Sequence, residues 1–320
     1  MIRSSVALIL IVAVIGSGQV IQNKDNDYRL TVDVELVQLP VSVVDKHGVP
    51  IRGLRPQHFT VYEDKVQQEI SLFKEEDIPM SVAVLIDRSG SMQDKLDRVH
   101  AAAMTFIRQN NDDDETALVS FGDSVTIDQE FTSNTDRLSR ALGQIRATGD
   151  TALYDAILVA AEYLDKEATR EKKVLLVISD GEDNKSANGL RQVVKTMKES
   201  KVIVYTIGMV RSRIGDYLVY GDGGRKPLQE LAEVTGGAAY FPKNINEVES
   251  ICTKISRDLR NQYTIGYRPS NQNLDGAYRK IQVRLDPPKN TPKFQVRAKQ
   301  GYYAPTQTRR SENTAKRINN

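Results

Sequence analysis

Hydrophobic positions change their spacing twice along this chain. Between residues 29 and 76 they alternate with polar ones, as in Leu30, Val32, Val34 and Leu36, then Val41 and Val43. Period two is the signature of strands with one buried face. Asp45-Lys46-His47-Gly48 predicts a turn. Phe59-Thr60-Val61-Tyr62 and Ile70-Ser71-Leu72-Phe73 predict two strands flanking a hairpin loop at Glu63-Asp64-Lys65. From Ser81 the alternation gives way to near-continuous apolar runs, at residues 81–86, 117–121, 174–178 and 202–207. Such runs predict strands covered on both faces. Helical stripes lie between and after them: Leu96, Val99, Ala103, Phe106 and Ile107; Leu138, Leu142 and Ile145; Leu153, Ile157, Ala160, Ala161 and Leu164; Leu190, Val193, Val194 and Met197; and Val248, Ile251, Cys252, Ile255 and Leu259. From Tyr278 alternation returns, with Ile281, Val283 and Leu285, a turn at Pro287-Pro288-Lys289-Asn290, then Phe294, Val296 and Ala298.

Buried strands alternating with helices predict an α/β domain: a Rossmann-like, doubly wound, mostly parallel sheet with helices on both faces. Residues 124–131 are expected to add an antiparallel edge strand. This domain, residues 78–267, is inserted between two β segments, residues 19–77 and 268–304. Each segment is too short for a core of its own, so the two are expected to pair into one small β-sandwich. Residues 305–320 are polar and expected to be a disordered tail. Arg3, the apolar run at residues 6–15 and Gly16-Ser17-Gly18 together predict a cleaved signal peptide over residues 1–18. The run is about half the ~20 residues a membrane-spanning helix needs. No stable membrane span is expected after cleavage, and with no cysteine behind the run, lipid anchoring is excluded. The expected location is outside the cytoplasm, in the periplasm, the cell envelope or the medium.

Composition narrows the chemistry. The chain has 320 residues, 40% hydrophobic and 27% charged, with a net charge of +2. That balance gives no reason to expect nucleic acid or a membrane surface as partner. Cys252 is the one cysteine, so no intrachain disulfide can form, and its place on an apolar helical stripe makes it core. The three histidines, His47, His58 and His100, are not spaced as a metal pair. Any metal must therefore be held by oxygen, which means a hard cation.

The informative stretch is Asp87-Arg88-Ser89-Gly90-Ser91, directly after the first buried strand and before a helix. In an open parallel sheet that is the ligand-binding edge. Asp87, Ser89 and Ser91 alternate, so their short oxygen-bearing side chains can converge, and Gly90 permits the tight turn. The strand at residues 174–179 ends in Asp180-Gly181-Glu182-Asp183, placing Asp180 on the same edge. Thr151 occupies a loop before another helix. Alone, each piece has an ordinary structural meaning, Asp and Ser as helix caps and Asp180-Gly181 as a turn. Together they resemble the metal-ion-dependent adhesion site of von Willebrand factor type A domains, over about residues 78–267, with no departure from that family's metal pattern. Val43-Val44-Asp45-Lys46-His47-Gly48 and Gly301-Tyr302-Tyr303-Ala304-Pro305 are more loosely similar to exported bacterial proteins related to this domain.

The resemblance implies that Ser89, Ser91 and Thr151 bind a metal through hydroxyls, and that Asp87 and Asp180 bind it directly or through water. The implied metal is Mg²⁺, with Mn²⁺ or Ca²⁺ as alternatives. Mg²⁺ takes about six oxygens near 2.1 Å and keeps some waters. One position is then open to an Asp or Glu side chain of a protein partner. Glu182 and Asp183 are candidates to tune the site or touch the partner. So are Arg211, Arg213, Tyr217 and Tyr220, in a long loop at residues 211–226 expected to rise from the same sheet edge. Gly221-Asp222-Gly223-Gly224 lacks the Lys-Ser/Thr ending of a phosphate loop. The expected function is metal-dependent binding or adhesion, not catalysis. The alternatives are an envelope scaffold with a structural metal and a metal-dependent hydrolase. Against the hydrolase stand the absence of a histidine near the motif and of the second Asp of Asp-x-Asp phosphatases.

Overall fold

The computed structural model describes residues 36–209 and 224–306. Four strands come first: β1 (Val37–Asp45), β2 (Phe59–Glu63), β3 (Val66–Gln68) and β4 (Ile70–Glu75). The apolar runs then become β5 (Met80–Asp87), β6 (Glu115–Phe121), β7 (Val125–Thr132), β8 (Lys172–Ser179), β9 (Ile203–Gly208) and β10 (Ala239–Tyr240). These six form one sheet in the order β10-β9-β8-β5-β6-β7. All its neighbours are parallel except β7, which returns antiparallel along β6 as the edge. The helices are α1 (Leu96–Ile107), α2 (Thr135–Leu142), α3 (Leu153–Glu167), α4 (Leu190–Glu199), α5 (Arg225–Thr235) and α6 (Val248–Arg260).

The unbroken apolar run of β5 follows from its central position. Val82, Val84 and Ile86 point into one core with α1, α2 and α6, while Ala83 and Leu85 point into a second core with α3, α4 and α5. Every residue of β5 is buried. Each fully buried Val, Ile or Leu contributes on the order of 1.5–3 kcal/mol, so two-sided burial is what secures the central strand.

The last four strands are β11 (Tyr263–Tyr267), β12 (Tyr278–Leu285), β13 (Phe294–Ala298) and β14 (Gly301–Tyr303). They join the first four in two antiparallel four-stranded sheets, β13-β1-β11-β4 and β14-β12-β2-β3. A shared core of Leu39, Val41, Phe59, Val61, Tyr263, Ile265, Tyr267 and Ile281 fills the sandwich. Phe59 stacks obliquely on Tyr263, with ring centroids 5.3 Å apart.

Three expectations are corrected. The first concerns the hairpin. Asp64 and Lys65 take φ of 47° and 70°, the both-positive pattern of a tight two-residue turn. That turn returns β2 onto β3, and β4 crosses to the other sheet to pair with β11. The second is the domain boundary. The α/β unit stops at α6 rather than residue 267, because Tyr263, Ile265 and Tyr267 alternate into the sandwich core. The third is the loop expected to run to residue 226: Arg225 and Lys226 already begin α5, a helix unread in the sequence although Leu228, Leu231 and Ala232 form a buried stripe. Pro227 sits in its first turn, where no backbone hydrogen bond is lost.

The sandwich and the α/β unit share polar contacts. Arg297 of β13 donates to Asp258 of α6 at 2.6 Å, and the Tyr205 hydroxyl of β9 donates to the same carboxylate oxygen at 2.6 Å. Among the described residues no helix is long and apolar enough to cross a membrane. The expected signal peptide, the loop positions 210–223 and residues 307–320 lie outside the described residues.

Candidate metal-binding site

Strand register assembles the site. β5 and β8 are parallel neighbours with Ile86 opposite Ile178, so Asp87 lies beside Ser179 and Asp180 is one residue beyond. Both strands end at the same edge of the sheet, where the loops and helix starts gather. Asp87 is fully buried. Its Oδ1 accepts the Ser89 backbone N–H at 2.9 Å and its Oδ2 accepts the Ser179 hydroxyl at 2.7 Å. Burial pushes the Asp87 carboxyl above the usual range; hydrogen bonds from Ser89 and Ser179 pull it back, and the charge of Asp180 adds to the rise.

From Ser89 the contacts run outward. Ser89, 1% exposed, has its Oγ 3.1 Å from the Ser91 Oγ. The exposed Ser91 donates that hydroxyl to Asp180 Oδ2 at 2.6 Å. The Asp180 Oδ1 accepts the Glu182 backbone N–H at 3.3 Å. Asp87, Ser89, Ser91 and Asp180 thus form one continuous hydrogen-bonded path.

Thr151, 4% exposed, is not part of that path; its backbone bonds to the loop that follows Asp180. Its N–H donates to Asn184 Oδ1 at 2.9 Å, and its carbonyl accepts the backbone N–H groups of Asn184 and Lys185 at 3.0 and 3.1 Å. The strap carrying Thr151 is tied to the Asp87–Ser91 loop: Thr148 N–H donates to the Arg88 carbonyl at 2.6 Å, and Gly90 N–H to the Gly149 carbonyl at 3.1 Å. The three loops holding the five sequence-predicted ligands therefore interlock.

The remaining predicted residues divide. Glu182 is exposed beside Asp180. Asp183 turns away to the start of α3, where its Oδ1 accepts the Tyr154 backbone N–H at 3.2 Å and the Ser186 hydroxyl at 2.5 Å. It caps that helix, whose first N–H groups have no partner within it. Arg211, Arg213, Tyr217 and Tyr220 lie outside the described residues. Sequence reasoning missed Ser179, which receives the Gly181 N–H at 3.0 Å while donating to Asp87. A serine closing an otherwise apolar strand was the available signal. It also missed Lys95 and Asn184, for which only distance in space gives a reason.

The donor set suits a hard cation. Among the described residues no three His, Cys, Asp or Glu side chains gather at one point, so any cation held here needs hydroxyl oxygens as well as carboxylates. Six oxygens around an ion at about 2.1 Å stand about 3 Å from their neighbours. The Ser89–Ser91 and Ser91–Asp180 oxygen separations of 3.1 and 2.6 Å are of that size.

Comparison with known proteins gives the family. A Bacillus subtilis protein, YwmC, itself uncharacterized, is 25% identical over 200 residues, covering 56% of this chain and 83% of its own length. A von Willebrand factor type A protein from Catenulispora acidiphila is 12% identical, with 87% of this chain and 76% of that chain covered, at a TM-score of 0.49. An aerotolerance-related membrane protein from Bacteroides fragilis is 18% identical, with 56% and 98% covered, at a TM-score of 0.45. The family model for the von Willebrand factor type A domain matches residues 81–254, more than half of the chain. With its central β5, its interlocked edge loops and this match, the chain belongs to the von Willebrand factor type A domain family.

Proposed function

We propose that this protein binds a divalent cation at the β5–β8 edge and uses it to hold a carboxylate of a protein partner. The observation that carries the reading is the path from buried Asp87 through Ser89 and Ser91 to Asp180, with oxygen separations near those of a coordination shell. Ser89, Ser91 and Thr151 supply neutral hydroxyls. Asp180 supplies a carboxylate, and Asp87, whose oxygens are already engaged by Ser89 and Ser179, acts through its neighbours or through water. Mg²⁺ is the first choice of ion, Mn²⁺ or Ca²⁺ the alternatives. An ion with a coordination position left open can take one more oxygen, a partner's carboxylate among them, and domains of this family mediate protein–protein binding. Export to the periplasm, envelope or medium belongs to the same reading, supported by Arg3 and the apolar run that follows.

The test is thermal. Mg²⁺ or Mn²⁺ should raise the melting temperature of the wild-type protein, through about 2.7 kcal/mol of added stability at a hundredfold excess over Kd. Asp180→Ala should abolish the rise. A variant that responds like wild type would place the ion elsewhere, and turnover of an ester or phosphate by the loaded protein would replace binding with catalysis.

A further inference from the structure

Beside the site lies a fixed positive charge. Lys95 ends the 3-10 turn Gly90–Lys95 that follows the Asp87–Ser91 loop. Its ammonium is 4.0 Å from Asp180 Oδ2, with 22% of the side chain exposed. It does not hang on Asp180 alone. The same Nζ donates to the Met209 carbonyl at 3.2 Å, and the Met209 N–H is held by the Ser179 carbonyl at 2.8 Å. The anchor is backbone at the end of β9, independent of the carboxylate, so an ion arriving at Asp180 does not release the lysine.

We propose that Lys95 is a built-in counter-ion that weakens the hold on the metal and strengthens the hold on an anionic partner. This rests on the metal-binding reading above and deepens it. The charge count gives the reason. Asp87 and Asp180, the carboxylates of the hydrogen-bonded path, carry two negative charges and Lys95 one positive, so these three groups sum to minus one without metal. A divalent ion brings the sum to plus one, and a monoanionic carboxylate then neutralises it. Without Lys95 the loaded site would already be neutral, and coordination alone would draw the partner. Lys95 makes the loaded site selective for an anion over a neutral amide or hydroxyl.

The magnitude follows from distance. An ion about 2.1 Å from Asp180 Oδ2 lies at most about 6 Å from an ammonium 4.0 Å from that oxygen. A single and a double positive charge at that separation, even screened as in water, shift a binding constant by about tenfold. Calorimetric titration of the folded full chain with Mn²⁺ tests this. Lys95→Gln should bind Mn²⁺ about tenfold more tightly than wild type, and Lys95→Arg, which keeps the charge, should bind like wild type. Lys95→Met serves in place of Lys95→Gln if the latter unfolds. Repeating the titration in acetate should raise the Mn²⁺ affinity of wild type more than that of Lys95→Gln, since each ligand must favour the other equally. A merely structural lysine would not move the two readouts in opposite senses. Wild-type protein that takes up no Mn²⁺ overturns the metal reading and this proposal together. Wild-type binding that Lys95→Gln leaves unchanged or weakens overturns the role of Lys95 alone.

Discussion

Gly181, next to Asp180, has a φ of 81° and packs backbone against backbone on Gly224, itself at 78°. A β-carbon at position 181 would fall 2.5 Å from the Gly224 carbonyl oxygen and 2.8 Å from its Cα. Neither is the end of a flexible side chain, so the strand-end loop or the start of α5 must move. Gly181→Ala therefore carries two costs. The left-handed backbone disfavours an L side chain by about 1–2 kcal/mol, and the steric conflict adds a comparable amount, for a total of about 2–4 kcal/mol. For a chain of 320 residues that lowers the melting temperature by roughly 3–6 °C. Gly53→Ala separates the two costs. Gly53 has a φ of 73° but nothing within 4 Å of its would-be β-carbon, so it should show the backbone cost alone. Urea unfolding of both variants by circular dichroism measures the difference. If Gly181→Ala is no more destabilising than Gly53→Ala, the close approach of positions 181 and 224 does not support the site.

Two further outcomes are expected. Asp183→Ala should cost about 0.5–2 kcal/mol by uncapping α3, seen in urea unfolding, while leaving the Mg²⁺-induced rise in melting temperature intact. Loss of that rise would put Asp183 in the metal site instead. In pH-dependent unfolding, burial pushes both Lys172 and Lys299 down to about 8. Between about pH 8 and the usual lysine range the unfolded chain then holds more protons than the folded one, so stability should climb with pH across that window. Above about pH 10 the sign reverses. Buried Tyr205, raised by desolvation and by Asp258, keeps its proton while an unfolded tyrosine loses it. Stability that falls steadily from pH 8 upward would contradict the burial of the two lysines.

The α/β class and the position of the candidate site were legible in the chain because they rest on local regularities. Two-sided burial leaves the middle of β5, Val82 to Ile86, no polar position, and a strand so written lies inside the sheet. An Asp-x-Ser-x-Ser run at the end of such a strand lies on the binding edge whatever the rest of the fold does. The helical stripes of α1, α3, α4 and α6 were readable for the same reason, since period and register sit within a dozen residues.

Pairing is different, because it is decided between segments far apart. The tight turn at Asp64-Lys65 returns β2 onto β3 and frees β4 for the other sheet, where its partner β11 follows the whole α/β unit. Asp183 looked like a neighbour of the candidate site because it is three residues from Asp180, yet an N–H at the start of α3 takes it. Lys95 carried no signal at all: its meaning comes from Asp180 and Met209, brought to it by the parallel alignment of β5, β8 and β9. A local pattern states which face of an element is buried, but which charges meet across that face depends on strand order and register, and these are set only when distant segments share one core.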